Sequence, residues 1–189
     1  MRKSLLAFGL FALLTSKVFA ADYVVDTTGA HASINFKIQH LGYSWLTGRF
    51  NTFDSKFSYD PAKPEASTIS VNINTDSVDS NHAERDKHIR SEDFLYVKKY
   101  PTANFVSTKV ESLGGERLKI FGNLTLHGIT KPIIIMAEKI GEGKDPWGGY
   151  RAGFSGTTRI AIADYGIMTN LGPASTHVEL MLNLEGVKQ

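Results

Sequence analysis

The chain has 189 residues, with 21 Lys and Arg against 19 Asp and Glu for a formal charge of +2, the size of one domain with its own core. So even a balance gives no reason to expect nucleic acid as a partner. There is no cysteine, which excludes disulfides, thiol nucleophiles, cysteine-zinc sites and haem attachment through cysteine.

The N-terminus reads as an export signal. Arg2 and Lys3 form a positive start. Leu5 to Leu14 form an apolar run, short of the ~20 residues that a membrane span needs. Val18 and Ala20 put small residues at −3 and −1, so cleavage is expected after Ala20. The expectation is a signal peptide over 1–20, a single domain over 21–189 and a periplasmic protein without an integral membrane segment. Loss of Arg2, Lys3 and Lys17 leaves 18 basic against 19 acidic residues, a formal charge of −1. No cysteine follows the cut to carry a lipid.

Alternation of polar and apolar residues dominates the rest. Ser33 to Ile38 alternates, as does Ser67 to Asn74. Leu118, Ile120, Leu124 and Leu126 share one parity, and Tyr150, Ala152, Phe154, Thr158 and Ile160 share another. Val178, Leu180, Leu182 and Leu184 close the series. A period of two means one buried and one wet face, the pattern of antiparallel sheet. Turn signals at Thr28-Gly29, Asp60-Pro61, Gly114-Gly115, Asp145-Pro146 and Gly172-Pro173 divide the strands. Phe50 and Phe53 differ in parity, which predicts a bulge near Asn51-Thr52. The predicted class is all-β, a sandwich or closed barrel.

Residues 80–94 break this alternation. Asn81 followed by Glu84 reads as an N-cap with its capping-box partner, and Asp86 with Arg90 and Glu84 with His88 stand at i, i+4. A short inserted helix is expected. His82 and His88 are six apart, roughly 240° around a helix, so they do not converge on a metal. The stretch is then either a solvated helix anchored by Ile89 and Phe94, or a lid whose Arg85 and His88 offer donors to a polar head group.

His40 shares the parity of Ile34, Phe36 and Ile38, which predicts a buried imidazole, either satisfied in the core or facing a ligand. His127 is expected to flank a turn. There is no Gly-x-Ser-x-Gly, phosphate loop or dinucleotide fingerprint, and nothing marks a catalytic dyad. Phe36, Phe50, Phe57, Phe105, Tyr150 and Phe154 are an aromatic set for one sheet face. A closed barrel of about eight strands either fills itself with such residues or holds one small ligand.

Four segments in order, "INFKIQHLGYSWLTGRF" (34–50), "RDKHIRSEDFLYVKKYPTANFVS" (85–107), "FGNLTLHGITKPI" (121–133) and "YGIMTNLGPASTHVELMLNLE" (165–185), resemble the YceI-like family of periplasmic, lipocalin-like proteins that bind polyisoprenoids. The family keeps a histidine at His40, the pair at Arg85-Asp86 and the Leu-Thr-x-His-Gly run at 124–128. The resemblance implies an extended antiparallel lipocalin-like β-barrel of about eight strands, with a short helix near one end and an apolar tunnel. It implies an isoprenoid or other amphiphilic lipid as ligand, no cofactor and no established reaction, and it favours the lid over the metal.

The resulting expectation is a carrier or store for a polyprenyl phosphate or quinone-like lipid. Phe36, Ile38, His40, Phe50, Phe105 and Phe154 would line the tunnel, with Arg85 and His88 near its mouth. The alternatives are an envelope stress or interaction protein with a filled barrel, and an enzyme using His40 as acid or base with Arg85 orienting an anion. Pairing of two copies through an exposed rim is possible.

Overall fold

The computed structural model describes residues 20–189, so the expected leader, except Ala20, lies outside the described residues. Eleven strands form one antiparallel sheet that closes on itself. They are β1 (Ala21–Val25), β2 (Ser33–His40), β3 (Ser44–Phe50), β4 (Phe53–Tyr59), β5 (Thr68–Asn74), β6 (Val78–Asp79), β7 (Thr102–Ser112), β8 (Arg117–Leu126), β9 (Ile129–Lys144), β10 (Tyr150–Ala161) and β11 (His177–Lys188). One helix, α1 (Ala83–Arg90), is inserted between β6 and β7.

The eight-stranded ring runs β1-β4-β5-β7-β8-β9-β10-β11 and back to β1. Its first strands are broken ones. β1 and β2 both pair with β11, and β4 and β3 pair with them in turn. The β3–β4 break falls at Asn51-Thr52, where the parity change predicts a bulge, and Asn51 N–H leaves the ladder to bond Ser77 O at 3.1 Å.

Alternation is the reason the ring has an inside. Ile34, Phe36, Phe57, Tyr59, Phe105, Leu118, Leu124, Ile135, Ala152, Ile160 and Leu184 are all buried. Three glycines make the large rings fit. A Cβ on Gly48 would come 2.3 Å from Phe36 Cζ, one on Gly122 2.3 Å from Phe105 Cζ, and one on Gly186 2.5 Å from Phe57 Cε1. Each phenylalanine lies across a strand that has no side chain there, an arrangement that pins register and admits curvature. Phe57 also stacks on Tyr23, ring centroids 4.8 Å apart and 9° from parallel.

The two ends differ. One carries the turns at 41–43 and 127–128 and the long connections 75–101, which includes α1, and 162–176. The other carries 60–67, 113–116 and 145–149. The helix end is plugged: Phe36, Val78, Leu95 and Ile167 form a buried cluster, with Phe50, Ile89 and Phe94 packed on it. The 127–128 turn has positive φ at His127 (51°) and Gly128 (73°), as a two-residue hairpin of this hand requires. His127 accepts this conformation while its Nδ1 donates to Tyr165 O at 3.0 Å.

Outside the barrel, Arg151 ties three segments together. Its guanidinium reaches Asp26 at 2.8 Å, Asp145 at 2.9 Å and Glu185 at 2.6 Å. The Arg151 hydrogen bond, followed by the Gly29 N–H, holds the Asp26 carboxyl well below its ordinary range. Asp145 is also lowered: burial opposes it, but Arg151 and two backbone N–H groups outweigh that.

Two outcomes follow from this packing. Gly122→Ala displaces the Phe105 ring, so urea denaturation should show a loss of about 1–3 kcal/mol. Unchanged stability would mean that the ring contact is slack. Arg151→Gln should lower Tm at neutral pH. The carboxylates with depressed folded pKa values stabilise the wild type above their unfolded value near 3.8, and that contribution is lost as pH falls below it. The wild-type Tm should therefore fall more steeply than that of Arg151→Gln on acidification from pH 5 to pH 2. Parallel curves would refute the role of the network.

Candidate functional site

An apolar cavity of about 60 Å³ lies in the half of the barrel away from the helix. This is several times the ~10–15 Å³ that one enclosed water needs. β4 contributes Phe57 and Tyr59, β5 Ile69, β7 Val110, β8 Leu118 and Ile120, β9 Ile135, β10 Phe154, and β11 Leu182 and Leu184. Phe154 meets Phe57 and Tyr59 edge-on, at 5.4 and 5.1 Å between centroids. Hydroxyls mark the rim side. Ser58 and Thr68 bond each other at 2.8 Å, while Ser67 Oγ is buried without a partner.

Lys139 stands above the cavity on the inward parity of Ile133, Ile135 and Ala137, with its side chain only 12 % exposed. Its ammonium lies 3.1 Å from Glu116, 3.3 Å from Glu142 and 5.5 Å from the Tyr59 ring centre. Burial pulls its pKa down, but the two carboxylates prevail and hold it charged. Burial raises the Tyr59 and Tyr23 phenols, with Glu142 adding to the effect on Tyr23. The rim is thus a closed set of partners with one cation between two anions.

Of the residues expected to line a tunnel, Phe154 is on the cavity wall. Phe105 is one layer deeper, with Leu124, Ile135, Ile160 and Tyr165. Phe36 and Phe50 belong to the plug, and Ile38 is half-buried. His40 is exposed, contrary to the parity expectation. β2 and β3 run past the barrel end as a hairpin, held at Gln39 O by the Ser175 hydroxyl, and β6 covers β3 only at Arg49 and Phe50. The parity still faces the plug at Leu46, opposite Ile38, and has no interior left to face at His40, opposite Ser44.

The helix also differs from its expected form. Its N-cap is His82, whose Nδ1 accepts from Arg85 N–H at 3.2 Å, and Asn81 lies outside it at φ 62°. Arg85 Nε donates to Ser80 Oγ at 2.8 Å, and buried Asp86 accepts from Ser80 N–H at 2.8 Å and from the Ser80 hydroxyl. Arg85 and Asp86 therefore clamp Ser80. Arg90 turns from Asp86 to the carbonyls of Asp76 and Val78. His88 is exposed and meets Asp93 at 3.1 Å instead of Glu84. Arg85 and His88 do not border the cavity.

Asp26, His31 and Glu185 bring possible ligand atoms within 4.8 Å of one another. The guanidinium of Arg151 already supplies the cation there. Sequence reasoning passed over Lys139 and Tyr165. The inward parity of Lys139 with three apolar neighbours was a usable signal. Tyr165 ends the tight helical turn Ile162–Tyr165, where no strand period exists to reveal its direction.

The model of the YceI-like domain matches residues 23–186. A UPF0312 protein of Azotobacter vinelandii is 60% identical over 184 residues, covering 97% of this chain and 96% of that one. The crystal structure of a Campylobacter jejuni YCEI protein superposes with a TM-score of 0.73 at 28% identity, over 98% of this chain and 99% of that one. A polyisoprenoid binding domain from Saccharophagus degradans has the same fold, with a TM-score of 0.65 at 17% identity over 90% of this chain and 100% of that one. With its closed eight-stranded barrel and, among the described residues, one short α-helix, the chain belongs to the YceI-like family.

Proposed function

We propose that the protein binds a lipid with an isoprenoid-like chain inside the barrel, entering from the end opposite the helix, as a carrier or store in the periplasm. The observation that carries this reading is the apolar cavity, walled by seven strands, in a barrel whose other end is plugged. Burying one five-carbon unit yields about 4 kcal/mol before ordering costs, so a few units suffice for tight binding. A full chain needs more room than the cavity offers, so Phe57, Tyr59 and Phe154 must turn aside as it enters. The ligand named for the S. degradans domain suggests the first class to test. No helix among the described residues is long and apolar enough to cross a membrane. Binding rather than catalysis is the role assigned here, because Lys139, Glu116 and Glu142 are engaged with one another and the cavity wall carries no acid-base pair.

A second reading, a barrel filled by its own side chains that serves as an interaction module, is favoured by the small size of the same cavity. Native mass spectrometry of protein prepared without detergent separates the two. A stoichiometric isoprenoid adduct supports binding. Val110→Phe, which adds bulk at a wall position only 3 % exposed, should reduce that adduct severalfold while Tm changes by a few degrees. A wild-type mass that stays bare after incubation with polyprenyl lipids would overturn the binding reading in favour of the filled barrel.

Export has its own support. β1 begins at Ala21, the first residue after the expected cut, and Ala21 pairs with Tyr59. N-terminal sequencing of the periplasmic protein should read Ala-Asp-Tyr-Val, whereas an intact leader on the accumulated protein would refute cleavage.

A further inference from the structure

Ser67 stands immediately before β5 with an extended backbone, φ −67° and ψ 148°. It therefore keeps the parity of Ile69, Val71 and Ile73, which pack into the barrel interior. Its N–H closes the turn Pro64–Ala66 on Pro64 O at 3.1 Å, which fixes the residue at the rim end of the barrel. Ser67 lines the apolar cavity, and its Oγ is buried without a hydrogen-bond partner. The neighbouring hydroxyls differ from it. Ser58 and Thr68 lie on the opposite parity, Ser58 between buried Phe57 and Tyr59, and they bond each other at 2.8 Å. Among the described residues, Ser67 is thus the one member of the cavity wall whose polar side-chain atom is buried and unpaired. A buried hydroxyl without a partner is destabilising, and alanine would fill this place without that cost.

We propose that the Ser67 hydroxyl donates a hydrogen bond to an uncharged oxygen, a carbonyl or an alcohol, on the lipid that fills the cavity. The oxygen-bearing end then stays at the rim, by the 60–67 connection, and the hydrocarbon chain runs inward past Ile69, Ile120 and Leu182. This rests on the binding reading above and narrows its ligand class. Among the described residues no charged side chain lines the cavity, so a charged head group would meet no counter-ion there. Lys139 stands above the cavity, but Glu116 and Glu142 already hold its ammonium. A pure hydrocarbon, in turn, leaves the Ser67 hydroxyl stranded, whereas a neutral oxygen pairs with it. The wall therefore favours a lipid that ends in a neutral oxygen over both a phosphorylated lipid and a hydrocarbon.

The test uses the full chain with three probes built on one isoprenoid chain: the ketone farnesylacetone, labelled with ¹³C at its carbonyl, the hydrocarbon farnesene and the anion farnesyl phosphate. The wild type should bind the ketone more tightly than either of the others. In Ser67→Ala the preference for ketone over farnesene should fall about five- to tenfold, the size of one hydrogen bond. The Tm of this variant without ligand should stay level or rise. In the wild type, the infrared carbonyl band of the bound ketone should lie below its position in an apolar solvent, and in Ser67→Ala it should return. An unchanged preference, or a band unshifted in the wild type or equally shifted in both proteins, would overturn the role of Ser67 while leaving barrel binding intact. Tighter binding of farnesyl phosphate than of the ketone would overturn the uncharged ligand class. A wild type that binds none of the three would remove the binding reading and this inference with it.

Discussion

Eight strands make a ring only if the first and last pair, and here that seam is three residue pairs long: Tyr23 with Lys188, Val24 with Val187 and Val25 with Gly186. So short a ladder needs support from both faces. Inside, bare Gly186 lets Phe57 lie over the seam and stack on Tyr23, while Val25, Tyr59, Ala152 and Leu184 complete the same buried cluster. Outside, Arg151 on β10 holds Glu185 on β11 and Asp26 just beyond β1. The aromatic stack acts through burial and the ion network through partly shielded charge, so the two respond differently to salt and acid. The enclosed interior exists only because this seam holds.

Closure alone would give two equivalent mouths. The long connections remove that symmetry. The 75–101 segment places Val78, Ile89, Phe94 and Leu95 across one end, and Ile162 and Ile167 reach in from the other connection. The conspicuous charges of residues 81–94 then serve the plug: Arg85 and Asp86 fix Ser80, and Arg90 fixes the carbonyls at Asp76 and Val78. The opposite rim is built from short turns and holds its one inward lysine between two glutamates. An apolar ligand meets less obstruction there, and the cavity lies on that side.

The barrel was legible because alternation is a local property of each strand, and burial followed it from Ile34 and Phe36 to Leu184. The parity change at Phe50 and Phe53 marked the break between β3 and β4 for the same reason. Parity failed at His40 because a strand keeps its period after leaving the barrel, while the interior that gives the period meaning has ended. The cap was misplaced by one residue because an imidazole nitrogen did the work expected of an asparagine oxygen. Arg85 and His88 read as donors for a polar head group, and His88 as an i, i+4 partner of Glu84, yet their partners in the fold are Ser80 and Asp93, five residues away in each case. Which end is closed depends on the path of two long connections, which no short-range pattern encodes.

A site lined by hydrocarbon leaves little trace in a sequence, because core and binding wall are made of the same residues. It also selects poorly, since each buried CH₂ contributes ~0.8 kcal/mol whatever chain it belongs to. Discrimination has to come from groups that break the rule of a satisfied interior. Lys139 is buried yet fully partnered, so it shapes the rim without seeking a ligand. Ser67 Oγ near the rim, the Tyr165 hydroxyl and His127 Nε2 are buried and unpartnered. A site that leaves such a group unpaired rejects ligands lacking the complementary atom far more strongly than it distinguishes one methylene from the next. On the binding reading proposed above, selectivity would fall to a buried, unpartnered group at the cavity such as the Ser67 hydroxyl, which becomes visible only once the chain is folded.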